Sequence, residues 1–190
     1  DVIAGDGIGQ EVIPAATRCL DAVAALHGFG IDWRERDWGS DHYRAHGAMM
    51  PADGIEQLSD GDAILLGAVG DPQIPDTETL WGLLIPIRRS FHQYVNLRPA
   101  RSLAGIASSG RPIDVLVVRE NVEGEYSEIG GRFGSGEEQF AVQESVFTRR
   151  GITRVASYAA RLAQSRSGRL TSATKSNGII HTMPCGDEMV

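Results

Sequence analysis

Lysine is almost absent from this chain of 190 residues, because only Lys175 among its 18 basic residues is a lysine. Cysteine is also scarce: Cys19 and Cys185 lie far apart and form no CxxC pair. This usage indicates neither a disulfide framework nor a zinc site, and it fits a reducing cytoplasm. No apolar run approaches the roughly 18 residues that a membrane-spanning helix needs. We therefore expect a cytoplasmic protein with no membrane partner.

The composition is acidic, with 25 Asp and Glu residues and a formal net charge of −7. A general nucleic-acid-binding protein usually carries a basic face, so we expect no nucleic-acid partner. An apolar fraction of 42% with 8 prolines is typical of a globular chain. The chain starts at Asp1 in a strand-like run and stops at Val190 without a loop or cap, so we expect a piece of a longer protein.

Strand and helix patterns alternate, which predicts an α/β fold with much parallel sheet. The predicted strands are 2–4, 31–36, 63–66, 94–97, 115–118 and 170–174. One predicted helix follows the first strand and its glycine-rich turn. The other predicted helices cover 53–58, about 79–91 and 153–166. A loop-like composition after Pro99 predicts two domains, 1–100 and 101–190. Two strand patterns around a glycine-rich turn predict a projecting hairpin at about 126–145.

A glycine-rich turn, Gly5-Asp6-Gly7-Ile8-Gly9, follows the first strand and opens a helix. Such a turn can present backbone N–H groups to an anion. Its spacing is not GxGxxG, and Asp6 would repel a pyrophosphate, so a Rossmann dinucleotide fold is not predicted. A simple strand-to-helix turn is the alternative.

Arginines at the ends of predicted elements are candidate carboxylate ligands. Arg88 lies on a helix, Arg98 ends a strand, and Arg119 ends the most apolar strand. Ligands bind at strand ends in α/β sheets, and arginine holds carboxylates with two parallel hydrogen bonds. Three converging arginines would suit a di- or tricarboxylate. Surface ion pairs remain the alternative in a chain so rich in arginine.

Two further side chains could move protons. Tyr126 could donate a proton if arginines lie near it, and Lys175, at the end of a predicted strand, could act as a general base if it is buried or lies near a cation. Arginine cannot replace a base that must lose its proton. A packed tyrosine and a solvated surface lysine are the alternatives.

Five motifs in order resemble the isocitrate/isopropylmalate dehydrogenase family of β-decarboxylating dehydrogenases. They are residues 2–9 (VIAGDGIG), 66–70 (LGAVG), 94–99 (YVNLRP), 118–126 (VRENVEGEY) and 174–178 (TKSNG). Residues 80–88 (LWGLLIPIR) are similar to the tartrate/D-malate dehydrogenase branch. The resemblance covers essentially the whole chain. It implies a two-domain isopropylmalate-dehydrogenase-like fold with a largely parallel sheet, not a Rossmann fold, that lacks its C-terminal part.

The resemblance also implies roles for individual residues. Arg88, Arg98 and Arg119 would bind the substrate carboxylates, Lys175 would take the proton of the C2 hydroxyl, and Tyr126 would protonate the enol after CO₂ leaves. Four residues would lie near the nicotinamide of NAD: Gly67, Ala68, Val69 and Asn177. A Mg or Mn ion would be held by aspartates beyond residue 190. The hairpin and the helix from Thr153 would form a homodimer interface.

The function that this resemblance implies is NAD-dependent oxidation, with or without decarboxylation, of a small 2-hydroxy dicarboxylate such as tartrate or D-malate. The first alternative is a 3-isopropylmalate dehydrogenase. Isopropylmalate dehydrogenases usually carry Glu at the position of Trp81. The tryptophan side chain would narrow the pocket that holds an isopropyl group. The second alternative is a non-catalytic piece that binds carboxylates or dimerises, since a chain without metal ligands is expected to be inactive by itself.

Overall fold

The computed structural model describes residues 1–103, 105–106, 110 and 112–190, so part of the loop-like stretch after Pro99 lies outside the described residues. The chain divides into two compact units, Asp1–Phe91 and His92–Val190. This division comes earlier than the predicted boundary at residue 100. The reason is that β4 (Val95–Arg101) pairs along its whole length with β5 (Asp114–Glu120) of the second unit.

The first unit is built on a parallel sheet, which confirms the predicted α/β class. Its elements are β1 (Val2–Gly5), α1 (Gly9–His27), β2 (Glu35–Arg36), α2 (Ser40–His46), α3 (Gly54–Ser59), β3 (Leu65–Ala68), α4 (Asp76–Thr79), a π-helical turn (Leu80–Leu84) and α5 (Ile85–Ser90). The strand order is β2-β1-β3. The strand predicted at 31–36 is shorter than expected, because only Glu35 and Arg36 pair with β1.

The glycine-rich turn and the end of β3 lie at the same edge of this sheet. Gly5 pairs with Ala68, and parallel strands place their carboxyl ends together. At Gly9 a Cβ atom would lie 2.0 Å from the Ala4 carbonyl oxygen and 2.8 Å from the Ala68 nitrogen. Only glycine therefore allows α1 to begin this close to the sheet.

We expect Gly9→Ala to destabilise the first unit by about 1–3 kcal/mol, because the new methyl group must displace backbone atoms. All three tryptophans (Trp33, Trp38 and Trp81) belong to this unit, so urea unfolding followed by tryptophan fluorescence reports on it. Gly30→Ala is the matched control, since a Cβ there meets nothing within 4 Å. Equal midpoints for the two variants would contradict the packing argument.

Six buried apolar side chains form the core of the first unit, on one sheet strand and the helices and loops that cover it. They are Ile3, Trp38, Met49, Leu58, Leu83 and Ile87. Ile3 and Leu83 are completely inaccessible to solvent. The π-helical turn carries Leu83, so the segment 76–90 contributes both to the core and to the surface where Arg88 lies.

The second unit contains two antiparallel strand pairs and two helices. Its elements are β4, β5, β6 (Gly130–Phe133), a 3₁₀ turn (Gly136–Glu138), β7 (Phe140–Gln143), α6 (Arg149–Gln164) and α7 (Thr182–Asp187). β6 and β7 form a hairpin inside the range predicted for one, and Phe133 and Phe140 stack across it with ring centroids 5.4 Å apart. Helix α6 packs against β5. Thr148 caps α6 by accepting a hydrogen bond from Gly151 N.

The strand predicted at 170–174 is wrong. These residues are described, but they carry no strand assignment and lie exposed beside a groove of about 660 Å³ that β5 and α6 also line. Residue composition is a local property, whereas a strand also needs a neighbour that pairs with its backbone N–H and C=O groups. Lys175 therefore follows an extended segment and not the end of a paired strand.

Candidate functional site

The antiparallel pair β4–β5 places two of the predicted arginines on one face. Asn96 is opposite Arg119, and Arg98 is opposite Val117. Side chains two residues apart on a strand share a face, so Arg98 and Arg119 project from the same side. Arg98 does not end a strand as expected. It lies inside β4, because the ladder continues through Pro99 to Arg101 along an equally long partner.

Arg119 and Tyr126 are brought together as the sequence analysis anticipated. Arg119 Nη2 donates a hydrogen bond of 3.3 Å to the Tyr126 hydroxyl, and Arg119 Cζ lies 5.8 Å from the centre of the Tyr126 ring. Both side chains are half-buried. A guanidinium that donates to the hydroxyl oxygen places positive charge beside Tyr126, the setting that the sequence analysis named for a proton donor.

Two asparagines on the same face were not assigned a role from sequence. Arg98 Nε donates to Asn96 Oδ1 at 3.3 Å, Asn96 Nδ2 donates to Asn121 Oδ1 at 3.3 Å, and Asn121 Nδ2 donates to the Gln93 carbonyl oxygen at 3.0 Å. This chain of hydrogen bonds orients Arg98. Their spacing could have indicated this position, because Asn96 lies two residues from Arg98 and Asn121 lies two residues from Arg119, and such residues share a face of a strand.

Arg88 belongs to the first unit, where α5 carries it half-buried. It engages at least one further group of the protein. The preceding π-helical turn carries Trp81, and Arg89 Cζ lies 5.1 Å above the Trp81 ring, a cation–π distance. π-helical turns inside helices are frequent at functional sites. The turn and this stacking hold the Trp81 ring on the helix that carries Arg88.

The predicted cofactor segment Gly67-Ala68-Val69 lies at the sheet edge beside the glycine-rich turn, and its three residues are half-buried. Asp6 within that turn is not directed outwards as we expected. Its side chain is buried and accepts hydrogen bonds from Ser40 and Gly70. The expected repulsion of an anion by an outward carboxylate therefore does not describe this turn.

Asp71 follows this segment in an ionic contact with Arg44. The backbone N–H of Gln73, which donates to the Asp71 carboxylate, and then the Arg44 guanidinium hold the pKa of Asp71 below its usual value. Asp71 therefore stays ionised at neutral pH and fixes the start of the loop after β3 to α2, which carries Arg44.

Lys175 and Asn177 are both exposed in the described chain, so Lys175 is not buried, which was one of the two settings that the sequence analysis named for a general base. The turn after Lys175 is formed by its carbonyl oxygen, which accepts from Gly178 N and Ile179 N. The structure thus brings Arg98, Arg119 and Tyr126 together in the second unit. The roles of Lys175, Asn177 and Arg88 remain predictions.

The described residues do not form a metal site. Within 1–103, 105–106, 110 and 112–190 there is no group of three or more His, Cys, Asp or Glu side chains that could hold a metal ion. The described residues therefore do not by themselves fit a metal cofactor.

Comparison with known proteins identifies the family to which these motifs point. The sequence pattern described as isocitrate/isopropylmalate dehydrogenase matches residues 1–183. The chain belongs to this family. It is 52% identical over 197 residues to the D-malate dehydrogenase [decarboxylating] of Escherichia coli (strain K12), covering 99% of the chain and 55% of that protein.

Two further relatives of this family member are tartrate dehydrogenases by name. The probable tartrate dehydrogenase/decarboxylase of Bacillus subtilis (strain 168) is 47% identical over 192 residues, which cover 98% of the chain and 54% of that protein. The tartrate dehydrogenase/decarboxylase of Pseudomonas putida is 49% identical over 195 residues, which cover 98% and 53%. The chain spans about half the length of the curated relatives it matches.

Solved structures agree with the family assignment and confirm the predicted fold relation. The isocitrate dehydrogenase of Methylococcus capsulatus superposes with a TM-score of 0.85 at 25% identity, covering 98% of the chain and 54% of the other. The TT0538 protein of Thermus thermophilus gives 0.79 at 28% identity, with 99% and 37% covered. Within the described part of this family member, none of the helices has the length and apolarity needed to cross a membrane.

Proposed function

We propose that the protein containing this chain is an NAD-dependent, decarboxylating dehydrogenase that oxidises a small 2-hydroxy dicarboxylate such as tartrate or D-malate. Family membership and the names of the relatives support the reaction class. The single observation that carries the proposal is the shared face of β4–β5, where Arg98 and Arg119 project together and Arg119 holds the Tyr126 hydroxyl.

This face suits a carboxylate substrate because a guanidinium can donate two parallel hydrogen bonds to the two oxygens of a carboxylate. The Asn96–Asn121 hydrogen bonds hold Arg98 in place, so less side-chain freedom is lost when the substrate binds. Two arginines on one face match the two carboxylates of tartrate or malate. Arg88, on the other unit, is assigned to the same substrate by the family resemblance.

The proposed reaction divides the proton transfers between two side chains. When bound, NAD supplies the acceptor for the hydride that leaves C2. Lys175 takes the proton of the C2 hydroxyl, which leaves a 2-keto acid with a carboxylate β to its carbonyl group. Loss of that carboxylate as CO₂ places electrons on the adjacent carbon, and Tyr126 returns a proton there. Arg119 orients the Tyr126 hydroxyl for this transfer.

The cofactors and the assembly belong to the same proposal. We assign the nicotinamide end of NAD to Gly67-Ala68-Val69 and Asn177, and a Mg or Mn ion to ligands supplied by the remainder of the longer protein. The hairpin β6–β7 supports a homodimer interface, because Ile129 and Phe140 are each 58% exposed on it. Apolar side chains exposed together on a hairpin are typical of a surface that another chain covers.

The substrate proposal is tested by kcat/KM values for D-malate, tartrate and 3-isopropylmalate, measured as NADH formation with Mg or Mn present. We expect a preference for D-malate or tartrate, because Trp81 stands on the helix that would receive the variable substrate group. The same assay without added metal after chelation tests the metal requirement. A clear preference for 3-isopropylmalate would contradict the substrate assignment. Absence of turnover with all three substrates would contradict the proposal that the protein is a dehydrogenase of this class.

We expect Tyr126→Phe to slow the formation of pyruvate by about 10²–10⁴-fold while hydride transfer continues, since the lost hydroxyl returns a proton to carbon only after oxidation and loss of CO₂. The measurement is the ratio of pyruvate to NADH formed from D-malate, which should fall well below that of the wild type. Tyr158→Phe is the matched control, because it makes the same change on α6, outside strands β4 and β5. An unchanged product ratio in Tyr126→Phe would remove Tyr126 from the proton transfer.

A further inference from the structure

Asp6 is the acidic residue inside the glycine-rich turn, and its side chain joins three separate segments of the first unit. Asp6 Oδ1 accepts from Ser40 N at 2.7 Å. Asp6 Oδ2 accepts from Ser40 Oγ at 2.7 Å and from Gly70 N at 2.8 Å. Ser40 is the first residue of α2, and Gly70 follows β3 by two residues.

The surroundings are built to admit this carboxylate. Ser40 is 1% exposed and Asp6 9% exposed, so the hydrogen bonds are shielded from water. At Gly39 a Cβ atom would lie 2.8 Å from Asp6 Oδ1, and the residue has a φ of +144°. Glycine there permits the close approach of the backbone, and it leaves Asp6 to receive the first N–H of α2.

The same carboxylate sets where the chain goes after β3. Gly70 N is held by Asp6 Oδ2, and Asp6 N in turn donates to the Ala68 carbonyl oxygen at 2.6 Å. Asp6 therefore contacts the chain on both sides of Val69. An ionised carboxylate is an acceptor only, so all three donors that reach Asp6 are satisfied by one side chain.

We propose that Asp6 is a positioning residue that fixes the backbone of Gly67–Gly70 for the nicotinamide end of the cofactor. This inference rests on the proposed function, which assigns Gly67-Ala68-Val69 to that ligand. Asp6 acts through the cofactor segment and touches no reacting atom. Its loss therefore weakens NAD binding and leaves the arginine face of the second unit unchanged.

The first measurement is amide hydrogen exchange in the 190-residue chain and in Asp6→Asn. An asparagine places an NH₂ group against N–H and O–H donors, so at least one donor loses its acceptor. We expect exchange at Gly70 and Ser40 to accelerate about tenfold or more, while the Leu65 amide, which donates to Asp1 O in the sheet, keeps its rate. Unchanged exchange at Gly70, or an equal acceleration at Leu65, would overturn the proposal.

The second measurement is steady-state kinetics of the complete protein. In Asp6→Asn we expect the KM for NAD to rise about fivefold or more, and the KM for the dicarboxylate to stay within about twofold. A residue that only stabilises the fold would not separate the two constants. Equal changes in both, or no change in either, would overturn the positioning role even if Gly70 exchanges faster.

Ser40→Ala supplies the milder variant, because it removes only the hydroxyl donor and keeps Asp6 with its two backbone partners. We expect a smaller change in the same direction, about twofold in Gly70 exchange and in the KM for NAD. If Asp6→Asn does not fold, an unchanged Ser40→Ala overturns the proposal. A wild-type protein that does not use NAD would overturn the proposed function, and selective exchange at Gly70 would then still establish the hydrogen-bonded junction at Asp6.

Discussion

Lys175→Arg should reduce kcat of the complete protein by about 10²–10⁴-fold, which is the usual contribution of a positioned general base. Arginine keeps the positive charge and most of the length of lysine, so substrate binding and folding change little. It cannot be deprotonated at any pH at which the protein is folded, and it therefore cannot accept the hydroxyl proton. The measurement is NADH formation at saturating substrate, together with the thermal midpoint of each protein.

A matched control uses the opposite exchange at a residue without a role in the reaction. Arg18→Lys on the exposed side of α1 should leave kcat and the thermal midpoint unchanged. Lys175→Ala adds a chemical test, because a small primary amine in solution should restore part of the rate if an amine is what the reaction lacks. Near wild-type turnover in Lys175→Arg would remove Lys175 from the mechanism.

Leu83→Ala should destabilise the first unit by about 2–5 kcal/mol, the range for a large-to-small change at a buried leucine. Leu83 is completely inaccessible to solvent in the core cluster and lies in the π-helical turn between α4 and α5. The loss combines the transfer of its side chain with the cavity left behind. Urea unfolding followed by tryptophan fluorescence measures this, since all three tryptophans lie in the first unit.

The control for this prediction is the same exchange on the surface. Leu26 on α1 is 79% exposed, and leucine and alanine have similar helix propensities, so Leu26→Ala should change stability by no more than about 0.5 kcal/mol. If the two variants unfold at the same urea concentration, burial of Leu83 does not stabilise the unit as described. If only Leu83→Ala lowers the urea concentration at the unfolding midpoint, the core cluster stabilises the first unit as described.

Some regular elements of the first unit were predictable because their signals are local, whereas α2 (Ser40–His46) was not predicted. The apolar spacing of residues 12–23 predicted α1, and the run at 63–66 predicted the strand observed as β3 (Leu65–Ala68). The ends of strands were less predictable. Arg98 was expected at a strand end and lies inside β4, since the length of a strand depends on the partner that continues its ladder.

The segment 170–174 also shows that a strand cannot be predicted without knowing its pairing partner. This segment was predicted to be a strand, yet no ladder forms there within the described part of the chain. The buried orientation of Asp6 was also not accessible to sequence reasoning, because its donors lie 34 and 64 residues away. Without knowledge of those donors, the sequence predicts an exposed side chain for a charged residue inside a glycine-rich turn.

The sequence by itself indicated candidates for the chemistry: arginines that could bind carboxylates, a tyrosine that could donate a proton, and the single lysine that could act as a base. It also determined the family, because five motifs occur in one order over the whole chain. The tertiary structure alone decided which of these groups meet. The register of β4 with β5 places Arg98 and Arg119 on one face and leaves Tyr126 within reach of Arg119, and the convergence of three segments buries Asp6. Register and burial arise from contacts between residues distant in the chain, and no local pattern contains them.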